Sequence, residues 1–97
     1  MVLSREEIET VIKSLLKKYN AEYALLFGSY ARGEADEKSD IDVIVFGGER
    51  FDKTDIFAFA EDLFESTNKE VDVFEISEIR KGTKFYDNIM REGVKIA

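Results

Sequence analysis

Between residues 8 and 19 apolar side chains recur at three- and four-residue intervals. Ile8, Val11, Ile12, Leu15, Leu16 and Tyr19 therefore share one helical face. Ser4 followed by Glu7 has the spacing of a capping box ahead of that face, so a first amphipathic helix is predicted, ending near Asn20. Residues 21–27 are mostly apolar and stop at Gly28, a length that favours a buried strand over a helix. Ser29 can cap a short helical turn through Tyr30, Ala31 and Arg32, which Gly33 ends, and the polar residues 34–39 read as loop. Residues 40–46 are rich in Ile and Val and close on Gly47 and Gly48, predicting a second strand.

Asp52 or Thr54 can cap the next helix, with Ile56, Phe59, Ala60, Leu63 and Phe64 facing the core and residues 66–69 ending it. Phe57 is assigned to the core with the other aromatics. Residues 71–76 alternate as a third strand, and Ser77 begins a helical or turn segment that runs to Gly82. Thr83 can cap a last helix that packs Phe85, Tyr86, Ile89 and Met90 inward and stops at Gly93, leaving residues 94–97 as a tail. The order is αβαβαβα. The fold class is α/β of the α+β kind, a small mixed three-stranded sheet with helices, in one domain over residues 1–97 without linker or repeat.

Composition narrows what this domain can do. A chain of 97 residues has material for one modest core, so a large substrate surface must come from elsewhere. The formal charge of -7 speaks against direct nucleic-acid binding, which draws its affinity from Lys and Arg on phosphates. Arg80, Lys81, Lys84, Arg91 and Lys95 concentrate basic charge near the C-terminus and read as a solvated face. With no Cys and no His, thiolate chemistry, the usual zinc ligands and the commonest general base are all excluded. No stretch is long and apolar enough for a membrane span and no signal sequence opens the chain, so a cytoplasmic location is expected.

The remaining chemistry is carboxylate chemistry. Strand alternation sends Asp40 and Asp42 to one face and Ile41, Val43 and Val45 to the other. For Gly28 and Ser29, past the end of the first strand, to meet those aspartates, strands one and two must run antiparallel. The helical crossover after strand two suits a parallel third strand, which would bring Asp72 beside them. Three aspartates form a hard, oxygen-only site of the kind Mg²⁺ or Mn²⁺ prefers. Asp40 and Asp42 would hold a nucleotide-bound ion, with Asp72 completing a second site and acting as base. Gly28 permits close backbone approach, Ser29 offers a hydroxyl and amides to a phosphate, and Arg32 and Lys38 are candidates for phosphate charge.

Gly28-Ser29, ten residues, then Asp40-Ile41-Asp42 resembles the signature of the polymerase-beta-like nucleotidyltransferase superfamily. Within it, GSYARGEADEKSDIDVIVF is similar to the minimal nucleotidyltransferase domains, which include antitoxins paired with HEPN-domain ribonucleases. The resemblance extends to the leading helix, Asp72 on the third strand and the closing stretch from Asn88 to Val94. It implies that fold, with catalytic and metal roles for Asp40, Asp42 and Asp72 and nucleotide contacts for Gly28, Ser29 and Arg32. The implied activity is transfer of AMP from ATP, with Mg²⁺ or Mn²⁺, to a hydroxyl of a partner, a tyrosine in the HEPN case. A subunit that neutralises its partner by binding alone is the alternative, and self-association is left open.

Overall fold

The computed structural model describes residues 3–96, in which nine elements follow one another. Helix α1 spans Arg5–Lys18 behind a complete Ser4/Glu7 capping box, with Ser4 Oγ accepting from the Glu7 N–H at 3.1 Å. Strand β1 is Tyr23–Phe27, the short α2 is Ser29–Arg32, and β2 is Ile41–Phe46. Helix α3 is Asp55–Thr67, β3 is Val71–Glu75, and a 3-10 turn covers Ile76–Glu78. Helix α4 is Lys84–Glu92, capped by Thr83 Oγ1 accepting from the Tyr86 N–H at 3.2 Å, and β4 is Val94–Ile96.

The strands form one mixed sheet in the order β3-β2-β1-β4. Strand β2 is antiparallel to β1 and parallel to β3, the directions that the αβαβαβα order predicts. The sheet has four strands rather than three. The predicted tail is the fourth: Val94–Ile96 pairs antiparallel with β1, setting Ile96 opposite Ala24. Ala97 lies outside the described residues. Gly93 makes the turn into β4 possible, because a Cβ there would stand 2.6 Å from the Ile89 carbonyl oxygen and 3.1 Å from Leu25.

Side-chain alternation divides the apolar residues between two faces. Ala24, Leu26, Ile41, Val43, Val45 and Ile96 pack with α1 and α3, through Ile8, Ile12, Phe59 and Leu63 among others. Leu25 and Ile44 face the other way, toward Ile79 and Ile89, with Tyr23, Phe27, Phe46, Phe74 and Tyr86 only partly buried around them. Two helices seal the first face, whereas α4 and the 3-10 turn cover the second incompletely. Lys18 and Tyr19 both hydrogen-bond Asp62 Oδ2, at 2.8 and 2.5 Å, and tie α1 to α3.

Four side chains assigned to the core by periodicity are exposed instead: Phe57, Phe64, Phe85 and Met90, at 78%, 41%, 43% and 48%. In α3 the buried positions are 56, 59, 63 and 67, which turns Phe57 and Phe64 onto a different side of the helix. In α4 only Ile89 is buried, since a short helix laid on a sheet needs little more than one anchoring row. Glu75 is the buried carboxylate of the frame. Burial pushes it up, but hydrogen bonds from the Ser77 hydroxyl and amide and the Gly47 amide outweigh that and hold it below its ordinary value.

Because Ile96 is 1% exposed, β4 is part of the core rather than a tail. Ile96→Ala is expected to lower the unfolding free energy by about 2–4 kcal/mol. In urea melts the midpoint falls while the slope is unchanged. A variant that melts with the wild type would show that the last strand contributes nothing.

Candidate functional site

The pairing of three strands decides which side chains meet. Asp42 lies opposite Phe27 of β1 on one side and opposite Asp72 of β3 on the other. Residues directly opposite each other in a sheet share a face. The face here is the incompletely covered one, since Phe27, Ile44 and Phe74 belong to it. Asp42 is half-buried, Asp72 is exposed, and Asp40 sits on the loop just before β2, exposed to solvent.

Gly28 is packed onto Asp42. Its φ of 74° is one that L side chains rarely adopt, and an added Cβ would collide with Asp42 Oδ2 and stand 3.3 Å from its Cγ. Here the glycine does two things at once: it turns the chain from β1 into α2 and leaves room for a carboxylate. Ser29 follows at the head of α2, half-buried, with its carbonyl accepting from the Glu34 N–H at 2.9 Å.

Electrostatically these groups behave as one cluster. Burial first, then the charge and hydrogen bond of Asp72 and the charge of Asp40, with Arg32 opposing them, together raise the Asp42 carboxyl from its ordinary 3.8 to about 6. Among the described residues no set of three or more His, Cys, Asp and Glu is drawn together tightly enough to hold an ion as it stands. Asp42 and Asp72 are the pair in contact. Asp40 acts on Asp42 through charge. A half-buried carboxylate in contact with an exposed one is a donor pair that a hard divalent cation would satisfy, so the residues fit the ion their chemistry implies.

The sequence-predicted cations separate. Arg32 is near enough to Asp42 to favour its charged form, although its Nε also donates to Glu34 Oε1 at 2.5 Å. Lys38 instead lines a different hollow with Ser39, Asp40, Asn68 and Lys69. Helix α4 supplies what the sequence reading missed. Phe85, Asn88, Ile89 and Glu92 close a cleft of about 210 Å³ against Phe27, Gly28 and Arg32. A signal was present: Asn88 and Glu92, four residues apart, border one side of the apolar stripe of Phe85, Tyr86, Ile89 and Met90.

Raising a carboxyl in the folded state favours its protonated form there, so the contribution of Asp42 to stability falls as pH rises from 3.8 through about 6. In chelator-treated protein Asp42→Asn removes that loss. The variant is expected to match the wild type near pH 4 and to exceed it by about 1–2 kcal/mol near pH 7.5, after allowance for solvent screening. Denaturant melts across that range check it, and equal stabilities throughout would contradict the clustered geometry.

Known proteins share the fold that carries these residues. The family described as polymerase beta, nucleotidyltransferase matches residues 9–97. The chain is 39% identical over 90 residues to MJ0435 of Methanocaldococcus jannaschii, provisionally named a protein adenylyltransferase, covering 93% of this chain and 95% of that one. It is 42% identical over 48 residues to the protein adenylyltransferase MntA of Thermococcus cleftensis, over 45% of this chain and 48% of that protein. A structure described as a minimal nucleotidyltransferase superposes with a TM-score of 0.78 at 25% identity, covering 95% of each chain. A toxin-antitoxin crystal structure with AMP-PNP gives the same score at 24% identity, over 92% of this chain and 72% of the other. The family match takes in most of the chain, and the chain belongs to the polymerase beta nucleotidyltransferase family.

Proposed function

We propose that this chain, acting as one minimal nucleotidyltransferase domain, transfers AMP from ATP to a hydroxyl of a protein partner. The observation that carries the reading is the adjacency of Asp42 and Asp72 on an open sheet face directly beneath Gly28. That is an acidic site next to a glycine turn. The length of chain shared with a protein named as an adenylyltransferase supports a protein acceptor.

The residues divide the work. Gly28 lets a triphosphate approach the backbone, and Ser29 offers it a hydroxyl and free amides at the head of α2. Arg32 supplies positive charge at the rim. Asp40, Asp42 and Asp72 would hold Mg²⁺ or Mn²⁺, which when bound supplies charge neutralisation for the triphosphate and the leaving pyrophosphate. Asp72, the exposed member of the pair, takes the proton of the acceptor hydroxyl. The acceptor oxygen bonds to the α-phosphorus, the bond from that phosphorus to its bridging oxygen breaks, and pyrophosphate leaves. We place the acceptor hydroxyl on another chain, in keeping with the extent shared with a protein named as a protein adenylyltransferase.

The partner we propose is a HEPN-domain toxin, with a tyrosine as acceptor. A fold-mate occurs in such a pair: a chain of the structure described as a tri-AMPylated Shewanella oneidensis HEPN toxin in complex with MNT antitoxin superposes at a TM-score of 0.72 with 21% identity, over 96% of this chain and 71% of that one. The chain would then work as the antitoxin. No helix among the described residues is long and apolar enough to cross a membrane, and we place the reaction in the cytoplasm.

With labelled ATP, Mg²⁺ and a HEPN-domain protein, label is expected on a tyrosine of the partner. Asp42→Asn should reduce incorporation to background, and Asp72→Asn should slow it by about 10²–10⁴-fold as expected for loss of a base. Incorporation that survives Asp42→Asn overturns the enzymatic reading. Partner inhibition that survives without incorporation assigns the role to complex formation.

A further inference from the structure

Phe85 is the side chain of this region that neither the fold nor the proposed chemistry accounts for. It sits in the first turn of α4, 43% exposed, although it is one of eight Phe in a small domain. Its ring meets Phe27 edge-on at 5.9 Å between centroids, 73° between planes, and Phe74 at 6.2 Å and 82°. Phe27 belongs to β1 and Phe74 to β3, so Phe85 bridges across β2 on the face that carries Asp42. Two edge contacts hold the ring in place and leave much of it facing outward.

What it faces is the cleft of about 210 Å³ shared with Gly28, Arg32, Asn88 and Glu92. A cavity of roughly 150 Å³ accommodates benzene, so this space suits a flat heterocycle. Its walls carry the polar groups that a base edge needs. Asn88 Oδ1 accepts from Arg91 Nη2 at 2.6 Å, which turns the amide toward donating through its N–H groups, and Glu92 brings a carboxylate acceptor. The lining thus sets three apolar side chains, Phe27, Phe85 and Ile89, beside three polar ones, Arg32, Asn88 and Glu92. The cleft also adjoins the acids through Gly28, the residue packed on Asp42.

We propose that this cleft is the nucleobase subsite, with a purine ring stacked on the outward face of Phe85 and its edge read by Asn88 and Glu92. The inference rests on the nucleotidyl-transfer reading and adds where the base lies and which residue grips it. Triphosphate contacts at Gly28 and Ser29 are independent of Phe85, because a base-free triphosphate has nothing to stack. Removal of a stacking aromatic weakens base binding by about 5- to 100-fold.

Calorimetric titration of the full chain in Mg²⁺ with ATP, CTP and inorganic triphosphate tests this. Wild type should bind ATP more tightly than CTP, and CTP more tightly than inorganic triphosphate. Phe85→Ala should weaken ATP by about 5- to 100-fold and leave inorganic triphosphate unchanged, while Phe85→Tyr keeps the wild-type order. Phe85→Leu, which keeps apolar bulk without a ring face, should fold as wild type and bind ATP as Phe85→Ala does. Equal loss for both ligands, or no loss for either, overturns the subsite. Wild type that binds ATP and inorganic triphosphate equally overturns the subsite alone, and wild type that binds neither overturns the transfer reading with it.

Discussion

The cross-strand register at Asp42 is the constraint on which the rest of the structure depends. Strand β2 is paired on both edges, and the pairing sets Phe27, Asp42 and Asp72 side by side on one face. A one-residue slip of β2 would send Asp42 into the sealed core between the sheet and α1 and α3, away from Asp72 on β3. That alternative is heavily penalised, because Ile41, Val43 and Val45 are fully buried there and would be driven out in exchange. The apolar half of β2 thus enforces the position of the acid.

Keeping two acids in contact costs stability, and the surrounding frame offsets that cost in a lopsided way. One face is closed by α1 and α3, with a capping box, a Lys18–Asp62–Tyr19 tie and the core aromatics behind it. The other is held by Ile44 and Ile89, with Phe85 braced on Phe27 and Phe74. Complete coverage of that second face would bury the acids and fill the cleft. Gly28 and Gly93 set how near the backbone comes, the first to Asp42 and the second to Leu25. Stability is concentrated on one side of the sheet and access on the other.

Much of this was legible in the residues. The Ser4/Glu7 and Thr83 caps, the glycine stops and the strand directions followed from local chemistry and the length of each connection, and they brought Asp72 to Asp42 across some thirty residues of chain. The fourth strand was not legible, because Val94, Lys95 and Ile96 are too few to show a period and gain meaning only beside the open edge of β1. Nor was the exposure of Phe57, Phe64, Phe85 and Met90, since periodicity identifies a helical face without saying how much of it a neighbour covers. Lys38 was grouped with Arg32 by proximity in sequence, and the loop carries it to the other side of Asp40. Phe85 was read as core for the same reason that it is informative: an aromatic on an apolar stripe gives no sign of facing solvent.

The central claim is that Asp42 and Asp72 act as one site, and the titration of Asp42 itself tests it most directly. Carboxyl resonances followed by NMR in metal-free protein should show Asp42 ionising at about 6. Asp72→Asn should bring it down toward the ordinary range, and Mg²⁺ should suppress its protonation in the wild type. An Asp42 that titrates near 3.8 and ignores both Asp72 and Mg²⁺ would contradict the account.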